Sequence, residues 1–373
     1  MKGVIELVDL PDELILTIMK KVNPQVLFLC SMINIGNYRL EQLAFDRCHS
    51  IELTFDYFRA SHKLLMKRFY SNIMPRIIHD IKSLTINLYQ ISSIQTFVEN
   101  NCNRTLPNLT HLKIMLGAKR SQIGTLYTIG TDGVTPNHFI DGSILERDIL
   151  SYMPRLRQFN YHIRSILKHA SHIKIDKIRQ SFLKEQQPFD CVLDHFKNNY
   201  GQCQIYSLPF IGTRLDFISN RFPLFDINNT FSNVTILLLF DDVKPFENIF
   251  FERLTRALPR LRTLEIINQL EQQEKSLSVM KTNIDFPHLA VLILYDIHID
   301  YAEQFICQNH LPSLIELTIN KDILLATISQ NQQQARDNCS RVATLRTSKP
   351  SYESIDTIRN FFPLAYYVKH ENE

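Results

Sequence analysis

One phrase, Pro-x-Leu-x-x-Leu-x-Ile, recurs along the chain and governs what it can fold into. It reads Leu106-Pro107-Asn108-Leu109-x-x-Leu112-x-Ile114, then Met153-Pro154-Arg155-Leu156-x-x-Phe159-x-Tyr161. It returns as Leu258-Pro259-Arg260-Leu261-x-x-Leu264-x-Ile266, Phe286-Pro287-His288-Leu289-x-x-Leu292-x-Leu294 and Leu311-Pro312-Ser313-Leu314-x-x-Leu317-x-Ile319. Looser copies without proline begin at Ile81, Val234 and Val342. The first apolar anchors fall at 81, 109, 156, 234, 261, 289, 314 and 342, so most intervals are 25 to 28 residues. The two long intervals, 47 and 78, are about two and three periods. Units of this length cannot bury an apolar face alone and do so by stacking on their neighbours. Within the phrase the last two apolar positions are two apart, as an inward-facing strand requires. Proline just before the strand ends the helix of the preceding unit. Helical stretches lie between. Phe246 to Leu258 places Ile249, Phe250, Leu254, Ala257 and Leu258 on one side, with Glu247, Glu252, Arg253 and Arg256 interleaved. Asp300 to Gln308 reads similarly, with Phe305 and Ile306 inward. The expected fold class is α/β, a solenoid with a curved parallel sheet.

The first fifty residues have a different rhythm. Pro11 suits the first turn of a helix, and Asp12 and Glu13 complement its dipole. Leu14, Ile15, Ile18, Met19 and Val22 then recur at helical spacing. Asn23-Pro24 ends this helix and opens a second, nearly all apolar one over Gln25 to Ile33. A turn at Gly36-Asn37 precedes a third, with Leu40, Leu43, Ala44 and Phe45. Three short helices have little interior. A buried Leu or Ile is worth roughly 1.5–3 kcal/mol, so this apolar excess implies a covering surface, in the chain or on another protein.

Leu10-Pro11-x-Glu13-Leu14, Ile18, Pro24-x-x-Leu27, Arg39-Leu40-x-x-Leu43 and Asp46 resemble an F-box, over about residues 8–47. In that family the motif binds the Skp adaptor of SCF (Skp–cullin–F-box) ubiquitin ligases through its apolar surface. The resemblance implies that Leu10, Pro11, Leu14, Ile18, Leu27 and Leu40 are adaptor-binding residues. With the repeats, the chain resembles the F-box/leucine-rich-repeat class across nearly its whole length, and in that class the repeats recognise a target protein. The phrase Cys203-Gln204-Ile205-Tyr206-Ser207-Leu208-Pro209-Phe210 is similar to a block of large invertebrate families of this type.

Composition narrows the function classes. Forty-one basic and 38 acidic residues give a formal charge of +3, too balanced for a nucleic-acid or membrane surface. Nine glycines in 373 residues make Gly-rich phosphate loops unexpected. The seven cysteines, at 30, 48, 102, 191, 203, 307 and 339, form no C-x-x-C pair, so reduced thiols in a cytoplasmic or nuclear protein are expected. Asp9, Asp12 and Glu13 interrupt any signal-like apolar run, and no stretch approaches the ~18 apolar residues of a membrane span.

Two segments break the repeat. Residues 117–143 hold Gly117, Gly124, Gly130, Gly133 and Gly142 and read as an inserted loop. Residues 164–230 are irregular and begin with a basic run, Arg164, Lys168, His169, His172, Lys174, Lys177, Arg179 and Lys184, expected to be a solvated helical face. His169-x-x-His172, Cys191-x-x-x-His195 and Cys203 lack the paired spacing of a zinc site, so no metal is expected. None of the motifs for phosphate loops, dinucleotide binding, zinc proteases or serine hydrolases occurs, so no catalytic residue and no cofactor are assigned.

The domains expected are an F-box over 1–50, a helical connector or cap over 51–75, and a leucine-rich-repeat-like solenoid over 76–373. The connector is motivated by Phe55, Tyr57, Phe58, Leu64, Leu65, Phe69 and Tyr70, too apolar for a free linker. The expected function is a non-enzymatic adaptor that binds the Skp adaptor and cullin-based core and holds an unidentified protein target. Two other readings stand beside it. One is a repeat-based interaction protein unconnected with ubiquitin. The other is an enzyme seated in the 117–230 interruption.

Overall fold

The computed structural model describes residues 6–21, 25–33, 36–45, 52–54, 67–87, 91–101, 106–115, 139–148, 150–168, 170, 174–182, 188–197, 199–224, 230–273, 284–330, 332–347 and 352–369. They form an α/β fold with two mostly parallel sheets. The chain divides into two compact units. One comprises Met1–Leu193 with Gln202–Leu208, the other Asp194–Gly201 with Pro209–Glu373.

The first unit opens with α1 (Asp12–Lys20), α2 (Gln25–Met32) and α3 (Tyr38–Ala44). Strand β1 (Glu52–Thr54) follows, then a wide π turn (Phe69–Ile73) leading into α4 (Met74–Ile77). Next come β2 (Ser83–Asn87), α5 (Ile91–Asn101), β3 (His111–Met115), α6 (Gly142–Asp148), β4 (Gln158–Lys168) and α7 (Ile175–Ser181). The hairpin of β5 (Phe189–His195) and β6 (Tyr200–Ser207) completes the sheet, ordered β1-β2-β3-β4-β6-β5. Strands β1 to β4 are parallel, and the repeated phrase sets their register: Leu53, Leu84, Leu112 and Phe159 stand side by side. Ile86, Ile114 and Tyr161 make a second buried row two residues on.

The expected helical connector over 51–75 is corrected at its start. Glu52–Thr54 is a strand, because Leu53 extends the leucine row by one position; residues 55–66 lie outside the described residues. The segment 164–230 is likewise more regular than its sequence. It holds the end of β4, then α7, β5, β6 and a further strand. Arg164, expected on a solvated face, is buried on β4 with its guanidinium on the Gln202 side-chain oxygen. His162 bonds Gln204 at 2.9 Å, and the Tyr161 amide donates to the Ser207 hydroxyl at 3.0 Å. Partners on β6 recede as β4 advances, so β6 runs antiparallel to β4. The β5–β6 turn carries Asn199 at φ 58, a left-handed conformation that asparagine tolerates.

The second unit contains β7 (Arg214–Ile218), β8 (Ile236–Phe240), α8 (Asn248–Ala257), β9 (Thr263–Asn268) and β10 (Val291–Ile297). It continues with α9 (Ile299–Ala302), running into a π turn (Glu303–Gln308), then β11 (Glu316–Ile319), α10 (Lys321–Ile328) and α11 (Gln333–Cys339). Strand β12 (Thr344–Thr347), α12 (Tyr352–Phe361) and β13 (Tyr366–Lys369) end it. The seven strands are parallel and lie in chain order. Leu215, Leu237, Leu264, Leu292, Leu317, Leu345 and Tyr367 form one cross-sheet row.

Each proline of the phrase sits second in a tight turn. Leu156, Leu261, Leu289 and Leu314 donate their amides to the residue just before the proline, at 3.0–3.3 Å. Proline has no amide to waste there and its fixed φ suits the position. On α8, Phe250, Phe251, Leu254 and Ala257 are buried, whereas Ile249, expected inward, is exposed. The inward stripe runs at 250, 251, 254, 257 and 258, and position 249 falls outside it.

Candidate functional site

The amphipathic spacing of α1 divides it into two faces. Ile15 and Met19 point inward and join Val26, Leu29, Ile33 and Ala44 in the core that also holds Leu53 and Leu84. The apolar excess of the helices is therefore largely covered within the first unit. What remains outside is a stripe at i, i+3 and i+7: Pro11 is exposed, Leu14 is 51% exposed and Ile18 43% exposed. Leu10 is half-buried at the edge of this stripe.

The other expected docking residues stand differently. Leu40 is only 6% exposed and packs into the core, so it supports the face from beneath and does not line it. The side chain of Leu27 lies outside the described residues. Tyr38, not among the expected docking residues, is 75% exposed at the start of α3 and accepts a 2.7 Å bond from Gln42. A tyrosine at a helix start has no periodic signature, so nothing in the sequence marked it.

Arg39 sets the geometry of this end of the molecule. Its guanidinium bonds Asp12 at 2.8 Å and the carbonyls of Val8 and Leu10 at 2.7 Å each. One planar fork thus ties the start of α3 to the start of α1 and fixes the entry of Pro11. The Asn37 side chain caps α3 by accepting from the Leu40 amide at 3.1 Å. Arg76 bonds Glu41 at 2.7 Å and lies over the Phe45 ring at 3.8 Å, joining α3 to α4. Arg68 donates to the Ile33 carbonyl. Four arginine and asparagine side chains therefore brace helices that have little interior of their own.

The groups weighed as metal ligands do not converge among the described residues. Cys191 and Cys203 are buried and His195 is exposed; His169 and His172 lie outside the described residues. Burial pushes the Cys191 thiol up, against the opposing pull of Arg179. Among the described residues no group of three His, Cys, Asp or Glu side chains is placed to hold a metal ion. The described cysteines, 30, 191, 203, 307 and 339, are all buried. No helix of the described residues is long and apolar enough to cross a membrane. Compared with known families and curated proteins, the sequence matches no family model and no curated relative.

Proposed function

We propose that the chain is a non-catalytic substrate-recognition adaptor of an SCF-type ubiquitin ligase, acting in the cytoplasm or nucleus. The observation that carries the reading is the apolar stripe of Pro11, Leu14 and Ile18, left outside on a helix whose Ile15 and Met19 are buried. A Skp-type adaptor covers this stripe and the flank of Leu10. The leucine-rich-repeat-like strands hold a protein target. Transfer of ubiquitin belongs to other subunits, and the chain contributes proximity, which raises the effective concentration of the target at the ligase.

The test is capture of a purified Skp adaptor by the full chain and by a Leu14→Glu/Ile18→Glu double variant. Removing residues 1–49 is a poorer test, since α1 to α3 share a core with β1 and β2. Both altered residues are exposed, so each substitution shifts stability by no more than about 0.5 kcal/mol. The double variant is expected to bind ~100-fold more weakly or worse, since each buried Leu or Ile is worth roughly 1.5–3 kcal/mol. Equal capture by both proteins overturns the reading in favour of a repeat protein unconnected with ubiquitin.

A further inference from the structure

We propose that the first unit carries an anion site, at the entry to strands β2, β3 and β4, that takes a phosphoryl group. The site is a cavity of about 500 Å³ lined by Lys82, Asn108, Thr110, Arg155 and Arg157. Three of the five lining residues are cations and none is a carboxylate. Cavities of this size hold small molecules or small parts of larger ones.

The lining follows from the repeat. The Lys82 carbonyl accepts the amides of Thr110 and His111 at 2.9 and 3.0 Å. The Thr110 carbonyl in turn accepts those of Arg157 and Gln158 at 2.9 and 3.1 Å. Lys82, Thr110 and Arg157 are thus the same position in three successive units, each just ahead of its strand. Neighbouring strands are about 4.8 Å apart, so the backbones of Lys82 and Arg157 stand about 10 Å apart with a threonine between. That spacing lets an ammonium and a guanidinium close on one tetrahedral anion from two sides.

Asn108 and Arg155 form the second row. The Arg155 guanidinium donates to the Asn108 side-chain oxygen at 2.9 Å, while the Asn108 amide holds the His79 carbonyl at 2.6 Å. Arg155 is therefore oriented by a neutral group. Among the described residues, neither Lys82 nor Arg157 has a carboxylate partner. Like charges gathered in one lining repel one another, and a bound anion reduces that repulsion. A guanidinium with a fixed orientation suits a phosphoryl group, which presents several oxygens to paired N–H donors.

The second unit supplies an internal comparison. Asn233-Val234-Thr235 and Arg260-Leu261-Arg262 repeat the pattern of Asn108-Leu109-Thr110 and Arg155-Leu156-Arg157. The Arg260–Asn233 bond recurs at 3.1 Å, and Arg262 donates to the Thr235 carbonyl at 2.8 Å. The residue matching Lys82 is Thr213, whose carbonyl accepts from Thr235. The second copy therefore lacks one of the three cations. The inference is independent of the docking stripe on α1, and either can fail without the other.

The experiment is a calorimetric titration of the full chain, at low salt, with inorganic phosphate, pyrophosphate and a short phosphoserine peptide of otherwise neutral sequence. Saturable binding of at least one probe is expected. Arg157→Gln and Lys82→Gln should each weaken it tenfold or more, with the melting temperature unchanged because both residues are exposed. Arg262→Gln, in the two-cation copy, should leave it unchanged. Tighter binding of pyrophosphate than of the peptide supports a free phosphorylated small molecule, and the reverse order supports a phosphoryl group presented on a polypeptide. No saturable binding of any probe, or wild-type affinity in Arg157→Gln, overturns the proposal.

Discussion

Leu292 lies between Leu264 and Leu317 on neighbouring parallel strands and has no exposed surface. Its removal leaves a void that a closely packed row cannot collapse to fill. Leu292→Ala is expected to destabilise the protein by about 2–5 kcal/mol in urea unfolding. A cost under about 0.5 kcal/mol would mean that the row is not core. Residues of this kind were legible in the sequence, because the phrase fixes both their identity and their spacing. Arg164 was not. A charged residue in a basic run reads as solvated, since a buried charge without partners is costly. Its acceptor, Gln202, is 38 residues away, and no local pattern announces it. Ile249 failed in the opposite sense: its type suggested the core, but its angular position on α8 leaves it outside.

Elements were legible where a strand and a turn occur together. The five prolines marked the turns, and the apolar residues five and seven positions on marked the strands. Strand β1 was missed because Glu52-Leu53-Thr54 is too short to show alternation. The polar groups that close the loops of the second unit were also hidden. Asn338 on α11 donates to the carbonyls of Ile306 and Asn309 at 3.0 and 2.7 Å and accepts from the Leu311 amide at 3.0 Å. Gln272 reaches the Phe246 carbonyl and the Gln304 side chain at 2.8 Å each, and the Tyr301 hydroxyl accepts the Phe246 amide at 2.9 Å. These side chains satisfy buried backbone groups between successive units, and their spacing follows the repeat without a fixed residue type. Gly142 shows the same limit of composition. It read as one more glycine of an inserted loop, yet it begins α6 directly beneath α7. A Cβ there would stand 2.5 Å from the Ser181 carbonyl oxygen and 2.8 Å from its carbon. The Gly142 amide also bonds the Ser181 hydroxyl at 2.9 Å, so the backbones cannot part freely. Gly142→Ala is expected to cost about 1–3 kcal/mol, as overpacking does. An unchanged urea midpoint would show that the two helices separate without loss.

At the scale of the whole molecule, the division into two units could not be read from the period, which continues with the same phrase on either side of it. It lies in the β5–β6 hairpin, where the chain passes between units three times, after Leu193, Gly201 and Leu208. Each of these strands begins in one unit and ends in the other, so neither unit is a continuous stretch of chain. Chains of this length commonly unfold in steps, and each unit holds a leucine row of its own. With no tryptophan in the sequence, tyrosine fluorescence and far-ultraviolet circular dichroism are the two probes to compare. Leu112→Ala on β3 of the first unit and Leu292→Ala on β10 of the second should each lower a urea midpoint, since each removes a buried leucine from a row shared by neighbouring strands. A midpoint unchanged in either variant would show that its row is not core.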